Sequence, residues 1–219
     1  MNSGPVVVID YDAGNLRSVA RALEHVGADP VVTADPEHVA RAGAIVLPGV
    51  GAAADTMFKL QERHLVEPLL EYIAQDRPFF GVCMGLQALL RHSEESDTTC
   101  LGVLPGEVRR FPARAGLKVP HIGWNTVDWR MDHPFTREVP SGSYFYFVHS
   151  YYPTTDEREL VLGETEYGVT FSSVLARGYM VATQFHPEKS GELGLRLYRN
   201  FVEWARTGEP IRALAQPAT

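Results

Sequence analysis

Phe79-Phe80-Gly81-Val82-Cys83-Met84-Gly85 joins a short apolar run to the start of a helical pattern and puts a cysteine at the junction. Glycine stands two residues before that cysteine and two after it. This is the spacing of a nucleophile elbow, with Cys in the place of Ser. The mechanics explain the glycines. The nucleophile must stand on a sharp, strained turn, where bulky neighbours would clash with the flanking strand and helix. A helix N-terminus beneath the sulfur also favours thiolate over thiol. Taken alone, the stretch is equally compatible with a small buried cysteine packed under a helix.

Working outward, Val6–Ile9 is a short β-branched run that reads as a strand buried on both faces, and Pro30–Thr33 and Ala44–Leu47 read as a second and a third short strand. Leu16, Val19, Ala20, Leu23 and Val26 recur at helical spacing, with Gly27 as a C-terminal stop. Pro36–Arg41, Ala53–Leu60, Leu65–Gln75 and Met84–Leu90 read as further helical segments. The alternation predicts an α/β fold: a doubly wound, mixed, mostly parallel sheet with helices on both faces and the elbow at Cys83. From about Gly102 to Thr183 the segments are short and aromatic. Tyr144–Val148, Leu160–Thr165 and Tyr179–Thr183 read as added strands, several antiparallel. A last helix over Glu192–Thr207 carries Leu193, Leu197, Phe201 and Trp204 on one side, and the Ala/Pro-rich end, Pro210–Thr219, is expected to fray. With no repeat and no linker, the 219 residues are expected to form one domain.

Composition narrows the function. A net charge of −7 argues against a nucleic-acid or anionic-membrane partner. No apolar run approaches a membrane span, and Met1–Asp10 lacks the pattern of a signal peptide. Two cysteines, Cys83 and Cys100, make no disulfide framework and suit a reducing cytoplasm. No phosphate-cradling glycine loop is present, and His121, His133 and His149 are scattered, so neither a cofactor nor a metal is expected.

The partner for the cysteine lies far downstream, in Gln184-Phe185-His186-Pro187-Glu188-Lys189-Ser190. In an extended chain residues i and i+2 face one way, so Glu188 can fix the tautomer of His186 and stabilise its imidazolium. An isolated His-Pro-Glu is more simply a solvated turn; an upstream Gly-x-Cys-x-Gly changes that reading. The order Cys, His, Glu differs from the Ser, Asp, His order of α/β-hydrolases.

At this point the chain resembles the class I, or triad, glutamine amidotransferases, from Val6 to about Thr207. Gly81–Gly85 and His186–Glu188 look like the family's two signatures. Gly14–Val19, Pro48–Gly51, Pro120–Asn125, Phe147–Tyr151 and Gln184–Ser190 look like the branch that serves histidine biosynthesis. That branch usually reads Tyr-Gly-x-Gly-Asn in its first loop, where this chain has Tyr11-Asp12-Ala13-Gly14-Asn15. If the position needs positive φ, Asp tolerates it better than most residues. Arg91-His92 likewise replaces what is often an acidic or aromatic pair, while Glu94-Glu95 is retained.

The resemblance implies a glutaminase. Cys83 attacks the glutamine amide, His186 moves the proton and Glu188 orients it. The oxyanion hole would draw on the N–H of Met84 and that of Val50 or Gly51. Because glycines flank Val50, a peptide flip there is cheap, and the hole is expected to be incomplete until a loaded partner completes it. Gly49, Gln87, Glu95, Ser150 and Tyr151 would surround the substrate. The implied partner is a (β/α)8 cyclase subunit bound as a heterodimer, with Asn15, Trp124, Tyr146 and Lys189 at the docking face. Three other readings compete: a glutaminase feeding a different synthase, such as one making pyridoxal phosphate, a non-catalytic subunit that kept the fold, and a γ-glutamyl hydrolase that needs no partner.

Overall fold

The structure is a computed structural model that describes residues 4–114 and 116–208. The expected frayed end, Pro210–Thr219, lies outside the described residues. The chain runs β1 (Val6–Ile9), α1 (Leu16–His25), β2 (Pro30–Thr33), α2 (Pro36–Arg41), β3 (Ala44–Leu47), α3 (Ala53–Glu62), α4 (Val66–Ala74), β4 (Phe79–Val82) and α5 (Met84–Gln87). It continues β5 (His92–Ser93), β6 (Thr98–Thr99), β7 (Glu107–Arg110), β8 (His121–Trp129), β9 (Ser143–His149), β10 (Tyr151–Thr154), β11 (Val161–Glu166), β12 (Thr170–Arg177), β13 (Met180–Thr183) and α6 (Gly191–Thr207).

Nine strands form one twisted sheet in the order β2-β1-β3-β4-β13-β12-β11-β8-β9. The half from β2 to β13 is parallel, and the half from β13 to β9 is antiparallel. The mixed sheet and the covering of both faces agree with the sequence. The short apolar runs β1, β3 and β4 occupy the centre because neither of their faces meets water. Their period of two divides the core. Phe80 points to the side of α1 and α6, packing on Phe135, Tyr198 and Phe201 at 5.2, 5.4 and 5.3 Å between ring centres. Phe79 points to the other side, among Leu69, Tyr72 and Leu86.

The sequence did not disclose a second sheet. Strands β10-β7-β5-β6 form a small separate sheet, in which β5 and β6 have two residues each. Helix α5 is also shorter than Met84–Leu90. The amides of Leu101, Leu104 and Gly102 bond the carbonyls of Ala88, Leu89 and Leu90 at 2.8–2.9 Å. A fold-back of the chain therefore takes the carbonyls that a longer helix would use.

The first loop keeps the conformation its missing glycine implied. Asp12 has φ 63°, and its carboxylate pairs with Arg63 of α3. The amide of Asp12 bonds the Asp10 carboxylate at 3.0 Å, a local brace that helps Asp accept the left-handed region.

Candidate functional site

Cys83 ends the central strand at the carboxyl edge of the parallel half, where open α/β sheets hold their ligands. Its backbone sits at φ 55°, ψ −103°, a strained conformation for a residue with a side chain. The flanking glycines make the turn possible. A Cβ on Gly85 would lie 1.9 Å from the Leu47 carbonyl oxygen, and one on Gly81 would lie 2.9 Å from the Gly85 oxygen. Only hydrogen fits at either place. The sulfur therefore stands where β3, β4 and α5 converge.

His186 and Glu188 leave β13, the strand beside β4. Their side chains are 1% and 0% exposed, and His186 Nδ1 donates to Glu188 Oε1 at 2.7 Å. The same carboxylate accepts from the Asn15 amide through Oε1 and from the Tyr198 hydroxyl, 3.4 Å away, through Oε2. This bonding fixes the imidazole with Nε2 beside the Cys83 sulfur, without a hydrogen bond of ordinary geometry. Burial would lower the pKa of His186, but the negative Cys83 sulfur and the Glu188 carboxylate outweigh it and raise it to about 10. The arrangement holds a charged imidazolium beside the Cys83 sulfur.

A cavity of about 400 Å³ opens over the sulfur. Val50, Gly51, Met84, Gln87, Glu95, Ser150, Tyr151 and Lys189 line it with Cys83 and His186. Gln87 donates through Nε2 to the Tyr151 carbonyl at 3.1 Å and to Gln184 Oε1 at 2.9 Å, while its own Oε1 is buried without a partner. It thus offers an acceptor with no protein donor. Glu95 accepts from the Ala53 N–H at 2.8 Å, closing the start of α3, and its side chain still borders the cavity.

Gly49 packs beneath the cavity wall, and its carbonyl accepts from the Met84 N–H at 3.4 Å. One candidate oxyanion donor is therefore turned to a backbone oxygen. A Cβ on Gly49 would lie 2.3 Å from the Tyr11 hydroxyl and 2.7 Å from Met84 Cβ, so packing as well as flexibility requires glycine. Gly51 has φ +106° with open space around it, so there the requirement is conformational alone.

Of the four residues expected at a docking face, three gather on one surface. Trp124 on β8 pairs across the ladder with Tyr146 on β9, their rings 6.2 Å apart, and Lys189 lies 5.9 Å above the Tyr146 ring. Trp124 is 55% exposed and Ile122 beside it 60%, so neither is spent on the core. The fourth differs. The Asn15 amide is turned inward to Glu188, held there by a left-handed backbone of φ 74°. Strand β9 also touches His186 directly, since the Tyr146 carbonyl accepts from the His186 N–H at 2.9 Å.

Sequence reasoning missed several supports. Gln184, fully buried, donates to Cys83 Sγ at 3.6 Å. Tyr198 and Ser190 brace the His-Glu segment; Ser190 Oγ donates to the His186 carbonyl at 2.6 Å. A polar Gln at the end of an apolar strand was the available signal for the first.

The three scattered histidines are buried, and His149 also borders the cavity. His149 Nδ1 donates to the Tyr151 carbonyl at 2.7 Å, so its Nε2 accepts from His121 Nδ1 at 3.1 Å. The His121 Nε2 left over faces the Asn125 amide at 3.3 Å. Both rings are thereby neutral. Burial lowers His121 and His133 to about 4, and His149 to about 3, from an ordinary 6.5. For such groups the stability they contribute is full above the unfolded value and is lost as pH falls towards the folded one. Unfolding free energy should therefore drop between about pH 6.5 and 4, with a slope approaching three protons, or roughly 4 kcal/mol per pH unit. Chemical denaturation across that range measures it. A flat profile would mean that the three rings are protonated in the native state.

Residues 7–204 match the family model "Glutamine amidotransferase class-I". The imidazole glycerol phosphate synthase subunit HisH of Chloroflexus aurantiacus is 47% identical over 94% of this chain and 98% of its own length. The HisH subunit of Herpetosiphon aurantiacus is 50% identical over 91% and 94%, and the HisH 1 subunit of Pseudomonas aeruginosa 49% over 91% and 96%. Among solved structures, a glutamine amidotransferase superposes with a TM-score of 0.69 at 21% identity, covering 91% of this chain and 98% of that one. PurLQS from Thermotoga maritima superposes at 0.70 with 17% identity, covering 92% and 99%. At such identities the structural likeness speaks for the fold.

Proposed function

The chain belongs to the class I glutamine amidotransferases, and from that premise we propose that it is the glutaminase subunit of imidazole glycerol phosphate synthase in histidine biosynthesis. It hydrolyses glutamine and hands the ammonia to a (β/α)8 cyclase subunit, with which it forms a heterodimer. That cyclase makes imidazole glycerol phosphate and an aminoimidazole carboxamide ribonucleotide. The observation that carries the reading is a buried Glu188–His186 pair beside a cysteine on a strained elbow, in a cavity that Val50, Gly51, Gln87 and Glu95 also line.

In this mechanism Cys83 Sγ attacks the side-chain carbonyl carbon of glutamine as a thiolate. The carbonyl oxygen becomes an oxyanion. His186 Nε2–H then protonates the amide nitrogen, the C–N bond breaks, and ammonia leaves a glutamyl thioester. Water attacks that thioester while His186 Nε2, now a base, removes its proton. Collapse of the second oxyanion breaks the C–S bond, releasing glutamate and restoring thiolate and imidazolium. The Met84 N–H lies next to the sulfur and serves the oxyanion once it is freed from the Gly49 carbonyl. Rotation of the Gly49–Val50 peptide frees it and brings the Val50 N–H to the same place; the alternative donor, the Gly51 N–H, belongs to the next peptide. Such donors are commonly worth about 3 kcal/mol each in the transition state.

Gln87 Oε1 and the Glu95 carboxylate receive the substrate α-ammonium, and the backbone at Ser150 and Tyr151 receives its α-carboxylate. Trp124, Tyr146 and Lys189 anchor the cyclase, and Asn15 acts behind that face by holding Glu188. Supplying glutamine labelled with 15N in its side-chain amide, together with the cyclase and its nucleotide, tests the transfer. Label is expected in the imidazole ring even against excess unlabelled ammonium. A product that takes its nitrogen from the solvent pool instead would contradict channelled delivery.

A further inference from the structure

Tyr11 follows β1 at the carboxyl edge of the sheet, close to the ends of β3 and β4. It is 1% exposed, and its hydroxyl is buried without a hydrogen-bond partner. The neighbouring Thr56 side chain draws the phenol towards ionisation without completing a hydrogen bond of ordinary geometry to it. Burial acts more strongly in the other direction, helped by the negative charge at Cys83, so the pKa is raised and the hydroxyl keeps its proton. A buried donor left unsatisfied is unfavourable and calls for a physical account.

Its position supplies one. The hydroxyl fills the space that a Cβ on Gly49 would occupy, 2.3 Å from that point, and so lies directly against the Gly49 backbone. At rest the Gly49 carbonyl takes the Met84 N–H. When the peptide turns to open the oxyanion site, that carbonyl loses its donor inside the protein. The buried unpartnered side-chain atoms among the described residues are Tyr11 Oη, Arg63 Nε, Gln87 Oε1, His133 Nε2 and His186 Nε2. Of these, Tyr11 Oη is a donor set against Gly49.

We propose that Tyr11 is a positioning residue for the oxyanion site: its hydroxyl donates to the Gly49 carbonyl once that carbonyl has turned away from Met84. The inference rests on the glutaminase reading and its peptide rotation. It balances the hydrogen bonds of both states. At rest Met84 N–H is satisfied and Tyr11 is not; in the active state Tyr11 is satisfied and Met84 N–H serves the substrate oxyanion. Tyr11 thus lowers the free energy of the competent state without touching glutamine.

Tyr11→Phe removes one oxygen and keeps the ring. Steady-state glutaminase kinetics, thermal melting and the rate of Cys83 alkylation by iodoacetamide are to be measured on this variant and the native chain. The kinetics are run with and without the cyclase. The expected result is a kcat lowered on the order of ten-fold, the worth of one net hydrogen bond. Glutamine KM and the alkylation rate stay unchanged, and Tm is equal or higher because an unpaired hydroxyl is gone. Native kcat in the variant overturns the proposal. So does a lowered Tm with kcat per folded molecule intact, which marks a structural hydroxyl. The kcat ratio on the isolated chain decides the role of Tyr11. Whether the cyclase stimulates the native chain decides the acceptor separately.

Discussion

Cys83→Ala is expected to lower glutamine hydrolysis by about four orders of magnitude or more while the chain stays folded. In enzymes of this logic, removal of the nucleophile leaves only what binding and oxyanion donors contribute. Folding should survive because alanine carries the same β-carbon as cysteine and meets the same left-handed strain, φ 55°. The sulfur receives a long contact from Gln184 at 3.6 Å, and the charge interaction lost with His186 leaves that ring held by Glu188. Glutamate release and a thermal melt check both halves of this expectation. A variant that folds and keeps more than a few per cent of native activity would remove Cys83 from the chemistry.

Glu188→Gln should cost roughly 100- to 10,000-fold in kcat at neutral pH, the scale set by neutralising the orienting carboxylate of a triad. Glu188 has a 0% exposed side chain and accepts from His186, Asn15 and Tyr198. An amide of the same shape supplies one acceptor and one NH2 group, so some of these donors must face a donor. The tautomer of His186 is then no longer fixed. The charge is lost too. Burial pulls His186 down, and Cys83 and Glu188 together lift it to about 10. Activity needs the imidazolium to protonate the leaving nitrogen, so the native rate should fall as pH rises through about 10. In the variant burial has less opposition, and the alkaline limb moves to lower pH. A pH–rate profile of kcat measures the displacement. An unmoved limb would mean that Glu188 does not act through the charge of His186.

The central strands were legible because burial on both faces writes unbroken apolar runs such as Val6–Ile9 and Ala44–Leu47. The small sheet was not, since a two-residue strand such as His92–Ser93 carries no period to read. The elbow was legible because its glycines answer a local steric demand, and the Asp12 turn because left-handed backbone restricts residue type. Asn15 could be placed near a functional surface but not against Glu188, since that contact joins residues 173 apart. Gln184 and Tyr11 were opaque for the same reason. Their roles come from neighbours on other strands, and each alone reads as an ordinary strand or loop residue. The resemblance to a family carried the substrate contacts, because no spacing within the chain brings Gln87 and Tyr151 together.

The most direct measurement is glutamate release from glutamine by the purified chain, alone and then with the cyclase subunit and its nucleotide substrate. Slow release alone that rises strongly in the loaded complex is the predicted result. Full activity alone, indifferent to the cyclase, would contradict the partner-completed oxyanion site and the proposed place of this chain in the synthase.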